Sequence, residues 1–111
     1  MSEAKESRAF RLRLVKEFLD YVILIYLKRQ GKVAGYDLIR QINDDYGVLL
    51  SPGTIYSKLY SLERKGLIKG QWMEKKREFV LTQQGRKNID AVMKDPLAKN
   101  FLALIERVSK E

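Results

Sequence analysis

Apolar side chains recur at helical spacing along the first third of the chain. Phe10, Leu14, Phe18, Val22 and Ile25 fall on one stripe, with Val15, Leu19, Val22 and Tyr26 on the stripe beside it. The spacing predicts a long helix over residues 10–30. It is apolar on more than half its perimeter between Tyr21 and Leu27, which places that end at the centre of a core. Gly31 supplies the stop. Residues 1–8 are polar and read as a frayed arm. Further on, Leu38, Ile39 and Ile42 predict a short amphipathic helix over Asp37–Tyr46, with Gly47 suited to a left-handed cap. Val48-Leu49-Leu50 reads as an extended connection.

Ser51-Pro52-Gly53-Thr54 is a helix start, with Ser51 as N-cap and Pro52 at the first helical position. That helix runs to Lys65, before Gly66. Leu67–Met73 and Phe79-Val80-Leu81 are β-prone, and the charged stretch Glu74–Glu78 lies between them. They predict a hairpin with a basic tip, although no Asn-Gly turn pair is present. Thr82 can cap a helix over about residues 83–93. Asp95-Pro96 marks a restart, followed by an apolar stripe at Leu97, Phe101, Leu104, Ile105 and Val108. The expected organisation is an arm over 1–9, a compact domain over 10–82 and a C-terminal helical region over 83–111. Two short helices joined by a tight turn and followed by a basic hairpin are the layout of a winged helix-turn-helix. The fold class expected is mostly α with a small β-hairpin (α+β).

Composition narrows the chemistry. Among 111 residues there is neither Cys nor His. This excludes disulfides, zinc sites built on those ligands, thiol nucleophiles and imidazole acid–base catalysis. The carboxylates are scattered, so neither an enzyme, a metal nor a cofactor is expected; the adjacent Asp44 and Asp45 read as a helix-end or solvated pair. The longest apolar run, Tyr21–Leu27, is far short of the ~20 residues of a membrane span, and no targeting segment is visible, so a soluble cytoplasmic protein is expected.

The net charge of +8 is unevenly spread: +3 over residues 1–30, −1 over 31–50, +6 over 51–87 and zero over 88–111. A localised excess of this kind, with a pI near 9.8, points to a polyanion. In helix 51–65, Leu62, Ile55 and Leu59 lie at roughly 80°, 100° and 140° from Thr54 and form the core stripe. Thr54, Ser57, Lys58, Ser61 and Lys65 share another face, made only of hydroxyl and ammonium groups, which donate to phosphates and base edges. Lys75, Lys76 and Arg77 are expected at a flexible hairpin tip suited to the DNA backbone or minor groove. Trp72 reads as a half-buried packing residue of the hairpin, and Tyr21 and Tyr26 as core or interface.

At Leu50-Ser51-Pro52-Gly53-Thr54-Ile55-Tyr56 the chain resembles the PadR family of transcriptional regulators. The resemblance continues through Leu59, Leu62-Glu63 and Gly66-Leu67-Ile68, and resumes at Arg77–Thr82 with Gly85; Gly35-Tyr36-Asp37-Leu38 precedes it. It covers about residues 20–90. It implies a winged-helix fold, a C-terminal helical dimerisation region and a repressor-like DNA-binding role. Ser51 is a further DNA-contacting candidate, and Tyr36 and Tyr56 are candidates for phosphate; the resemblance supports Tyr56, which sits in the first turn of helix 51–65, although periodicity sets it off the main face. Ser57 stands where the family commonly has proline, the hairpin is shorter than the usual wing, and the C-terminal helices hold no tryptophan. Small archaeal regulators share this compact form.

Two apolar stripes exceed what one core needs: Phe10, Leu14 and Phe18, and Leu97, Phe101, Leu104, Ile105 and Val108. They are expected to bury against a second copy, with packing on each other as the alternative. The leading expectation is a homodimeric, sequence-selective double-stranded DNA-binding regulator. A less specific architectural DNA-binding protein and a winged-helix protein-interaction module are the alternatives.

Overall fold

The computed structural model describes residues 2–100. Its elements run α1 (Ser2–Glu17), α2 (Leu19–Gln30), β1 (Lys32–Ala34), α3 (Gly35–Tyr46), α4 (Pro52–Arg64), β2 (Ile68–Met73), β3 (Lys76–Leu81) and α5 (Gln83–Lys94). Residues 96–100 add a last helical stretch, which Asp95 opens by accepting the Leu97 and Ala98 amides. The strands form one antiparallel sheet in the order β1-β3-β2. No helix among the described residues is long and apolar enough to cross a membrane.

The expected helix over 10–30 differs in two ways. It starts at Ser2, so the residues read as an arm are helical. Ala, Lys, Glu and Arg between positions 3 and 9 are good helix formers that extend a helix already nucleated downstream, whereas polarity alone reads as fraying. It also divides at Phe18, whose φ of −108° and ψ of 23° leave the helical region. The hydrogen bonds Phe18 N–H to Leu14 O and Val22 N–H to Phe18 O carry the chain across the break. The hairpin differs too. β3 begins at Lys76, so the turn is only Glu74-Lys75, with Glu74 at φ 60° supplying the left-handed residue that Asn-Gly usually provides. β1 has three residues, too few for a periodic signal. It forms because β3 offers an edge, pairing Val33 with Phe79.

The core is one cluster. Leu19, Ile23 and Leu27 of α2 meet Leu38 and Ile42 of α3, and Ile55, Leu59 and Leu62 of α4. Phe79 at the centre of the sheet and Ile89 of α5 close it. Every residue buried in it is apolar. Thr82 ties α5 to the sheet: its hydroxyl accepts from the Gly85 amide and donates to the Gly66 carbonyl. Gly85 packs against the backbone of Leu67 so closely that a Cβ there would lie 1.8 Å from the Leu67 carbonyl oxygen.

Tyr26 is buried, and its hydroxyl donates to the Asp45 carboxylate, joining α2 to the end of α3. Desolvation first, then that hydrogen bond, raises its pKa far above the ordinary tyrosine value; burial raises Tyr46 as well. The folded state therefore keeps protons that the unfolded chain begins to release near pH ~10. Stability is complete below that pH and falls as pH rises above it. In Tyr26→Phe we expect a shallower alkaline decline of the unfolding free energy, at a cost of about 0.5–1.5 kcal/mol near neutrality. Denaturant titrations from neutral pH into the alkaline range check both; an unchanged alkaline slope would remove Tyr26 as a contributor.

Candidate nucleic-acid interface

α3, its tight connection and α4 make the helix-turn-helix. Gly47 takes the left-handed conformation at φ 69°, and its amide donates to the Asn43 carbonyl, which stops α3. Val48 and Leu50 then turn into the core and leave Leu49 outside. Ser51 caps α4, its Oγ accepting from the Thr54 amide at 3.2 Å and meeting Thr54 Oγ1 at 2.9 Å. Pro52 is the first helical residue, as expected.

With Ile55, Leu59 and Leu62 buried, the outermost ridge of α4 is Gly53, Ser57, Tyr60 and Arg64. Thr54, Lys58 and Ser61 stand on one flank, half-covered. They line a shallow depression with Ser57, Arg64 and, from α1, Lys16. The structure thus brings together Thr54, Ser57, Lys58 and Ser61, and adds Lys16 and Arg64. Lys16 is about forty residues distant in sequence, and only tertiary packing delivers it. Arg64 was legible, since it lies two helical turns from Ser57 on the same side and directly opposite the core stripe. Lys65 is exposed at the C-terminal end of α4, outside the depression.

The other flank faces the wing. Tyr56 and Tyr60 of α4, Tyr36 of α3 and Trp72 of β2 line a second concavity, with Lys75 and Lys76 at its wing end. Tyr56 reaches it because α3 starts on glycine: a Cβ on Gly35 would sit 2.5 Å from the Tyr56 ring. The Tyr36 and Tyr56 rings meet edge-on at 5.8 Å, and Tyr56 and Tyr60 lie 6.0 Å apart. Burial first, then Tyr36, Tyr60 and Asp37, raises the Tyr56 pKa, so its hydroxyl stays a donor.

Two expectations are corrected here. Arg77 is not at a flexible tip. It lies within β3, and its guanidinium donates two hydrogen bonds to Glu63 at 2.9 and 3.1 Å. It also stacks over the Phe79 and Tyr60 rings. The register explains this, because the turn takes only the first two residues of the Glu74–Glu78 charge run and the other three belong to β3. Trp72 is not half-buried but 70% exposed. Trp72 shares a face with its pair Arg77, but Arg77 leans back over Gly70 to reach α4, whereas Trp72 lies beyond the end of the core.

Of the residues assigned to a self-association surface, Phe10 and Leu97 are 67% and 79% exposed, while Leu14 and Phe18 are half-buried. Phe101, Leu104, Ile105 and Val108 lie outside the described residues. Asp45 is exposed near the end of α3, in keeping with the expected helix-end pair, and also accepts from the Tyr26 hydroxyl.

A helix-turn-helix whose second helix carries hydroxyl and basic groups, followed by a basic two-stranded wing, defines a winged helix-turn-helix protein. The chain belongs to the transcriptional regulator PadR-like family, whose model matches residues 23–91. A PadR family transcriptional regulator from Eggerthella lenta has the same fold, with a TM-score of 0.68 at 20% identity over 99% of this chain and 95% of that one. Bacillus subtilis PadR, solved in complex with operator DNA, is 28% identical with a TM-score of 0.57, over 66% of this chain and 45% of that one. The transcriptional activator GvpE2 of Halobacterium salinarum is 26% identical over 82 residues, 72% of this chain. The chain spans 42% of that relative and 36% of the related activator GvpE1.

The Glu63–Arg77 pair joins α4 to the wing, and Glu63 also accepts from the Gly70 amide. A double-mutant cycle with Glu63→Gln and Arg77→Met should give a coupling energy of about 1 kcal/mol or more, above that of an exposed ion pair. Coupling near zero in urea unfolding would show that the wing is held by other contacts.

Proposed function

We propose that this protein is a transcriptional regulator that binds duplex DNA sequence-selectively as a homodimer, acting in the cytoplasm. The observation that carries the reading is the α4 ridge. It is a capped helix, fixed in rotation by three buried residues, with Ser57 and Arg64 outermost and Thr54, Lys58, Ser61 and Lys16 beside them. Such a helix can enter the major groove, its hydroxyl and cationic groups meeting base edges. Lys75 and Lys76 on the wing, with Ser51 and Lys65 at the ends of α4, are the groups we assign to phosphates. Tyr56 can donate its hydroxyl to a phosphate from the wing side. The operator complex of the Bacillus relative supports this mode of engagement. We take repression, by occlusion of a promoter, as the mode. The Halobacterium relatives are transcriptional activators, and a reporter fused to the chain's own promoter distinguishes the two modes by the sign of the response.

Binding should be steep in salt. A dimer neutralising six to ten phosphates loses roughly 10³–10⁵ in affinity between ~50 and ~200 mM salt. Lys58→Ala or Ser61→Ala should cost about 1–3 kcal/mol on the operator while barely affecting random duplex. Lys75→Ala with Lys76→Ala should weaken both and make the salt slope shallower. Fluorescence anisotropy on the chain's own promoter and on random duplex reads all of these. Equal affinity for the two duplexes would make the protein an architectural binder instead, and absence of low-salt binding would refute the nucleic-acid reading.

The dimer is proposed to form through the C-terminal region, residues 83–111, of which 101–111 lie outside the described residues, together with the apolar side of α1. Phe10 and Leu97 are large apolar side chains left to solvent in one copy, which a symmetry mate would cover. Two α4 helices would then meet half-sites about one turn of DNA apart. Light scattering should return twice the 13.0 kDa chain mass, and Phe10→Asp with Leu97→Asp should shift it toward the monomer. A dimer unaffected by both changes lies on another surface.

A further inference from the structure

The concavity between α3, α4 and the wing has a composition that duplex binding does not require. It encloses about 340 Å³, within the range of small-molecule sites of roughly 300–1,000 Å³. Tyr36 is 69% exposed and Trp72 70% exposed, and they enter it from different elements. Large aromatic rings left to water inside a concave site gain by covering, and a flat ring system covers them best. Tyr60 and the half-buried Tyr56 add aromatic surface.

The charges divide by role. Lys75 and Lys76 lie exposed at the wing end and suit an anion. Arg77 is already committed to Glu63 and stacked on two rings, so it forms wall rather than ligand contact. Among the described residues Asp37 is the one carboxylate lining the concavity, and it pairs only loosely with an exposed Arg40 at 3.5 Å. It offers an acceptor for N–H groups and repels an anion placed against it. A simple aromatic carboxylate would satisfy the lysines and the rings but leave Asp37 unused. A nucleobase with its phosphate uses all three: the ring stacks, its edge N–H groups donate to Asp37, and the phosphate meets Lys75 and Lys76. Guanine fits best, since its N1–H and 2-amino groups are adjacent donors that one carboxylate can accept together.

We propose that this groove binds an unpaired nucleotide, guanine preferred, with the base stacked against Trp72 and Tyr36. The groove shares Tyr56, Lys75 and Lys76 with the proposed duplex interface but is argued from Tyr36, Trp72 and Asp37, so duplex binding and nucleotide binding are read by separate titrations and either can fail without the other. The shared chemistry is a base and its phosphate, whether free or within a single strand.

Trp72 is the single tryptophan of the chain, so its fluorescence reports this groove alone. The full-length protein is titrated with 5′-GMP, 5′-AMP, 5′-CMP, benzoate, and short single strands with and without a guanine. Saturable quenching is expected with GMP, at lower concentration than with AMP or CMP. Tyr36→Ala should raise the GMP midpoint by roughly five- to a hundredfold through loss of a stacking face. Asp37→Asn should bring GMP and AMP together. Both positions lie on the surface, so far-ultraviolet circular dichroism should stay unchanged and separate lost binding from lost fold. If the guanine-bearing strand saturates and GMP does not, the source is a nucleic-acid strand; saturation by both assigns a free nucleotide as sufficient. No saturable quenching by any nucleotide or strand overturns the proposal. So does benzoate matching GMP, or equal binding of GMP and AMP that Asp37→Asn leaves unchanged.

Discussion

Burial of Ile55, Leu59 and Leu62 is the constraint on which the rest of this structure depends. These side chains are at most 2% exposed and meet α2, α3 and the sheet. A helix of thirteen residues with three such anchors on one stripe cannot rotate without exposing one and burying a polar neighbour. The rotation of α4 decides which side chains reach solvent: Ser57, Tyr60 and Arg64 outermost, hydroxyl and lysine groups on one side, tyrosines on the other. Exposing an aliphatic side chain of this kind costs about 1.5–3 kcal/mol, so the presented face is held by the core itself.

The wing is held by different means. It extends from the core after Gly70, and no buried apolar residue lies beyond that point on β2. Its anchor is polar and aromatic: Glu63 binds Arg77 and the Gly70 amide, and Arg77 stacks on Phe79, the centre of the sheet. This links α4 and the wing at a defined spacing. The space left between them is the aromatic groove, with the lysines of the turn at its end. One arrangement therefore produces two surfaces on opposite flanks of one helix, a hydroxyl-and-cation flank beside α1 and an aromatic flank beside the wing.

The long N-terminal element has a comparable logic. Val15 and Leu19 are drawn into the core, and the chain breaks its helical geometry at Phe18 between them. The first turns of α1 are left outside with Phe10 exposed, and Lys16, next to the buried Val15, lies beside α4. A basic residue far from the recognition helix in sequence thereby becomes its neighbour.

The sequence by itself determined the order of helices, the cap at Ser51-Pro52, the stop at Gly47, the apolar stripe of α4 and the family resemblance. Each of these depends on residues within about one or two helical turns of each other, where spacing and local backbone preference act directly. Tertiary structure alone decided the inward turn of Arg77, the exposure of Trp72, the third strand and the arrival of Lys16 at α4. Arg77 and Trp72 are directly paired across the hairpin, and neither fate follows from its neighbours in sequence. Arg77 turns inward because Glu63, fourteen positions away, waits on the adjoining helix; Trp72 stays out because the core ends before the strand does. A charge run has no preferred side until the register of β3 sets one, and an amphipathic ring packs only where a partner surface exists. Local pattern fixes which groups a segment carries, while long-range packing fixes what those groups meet.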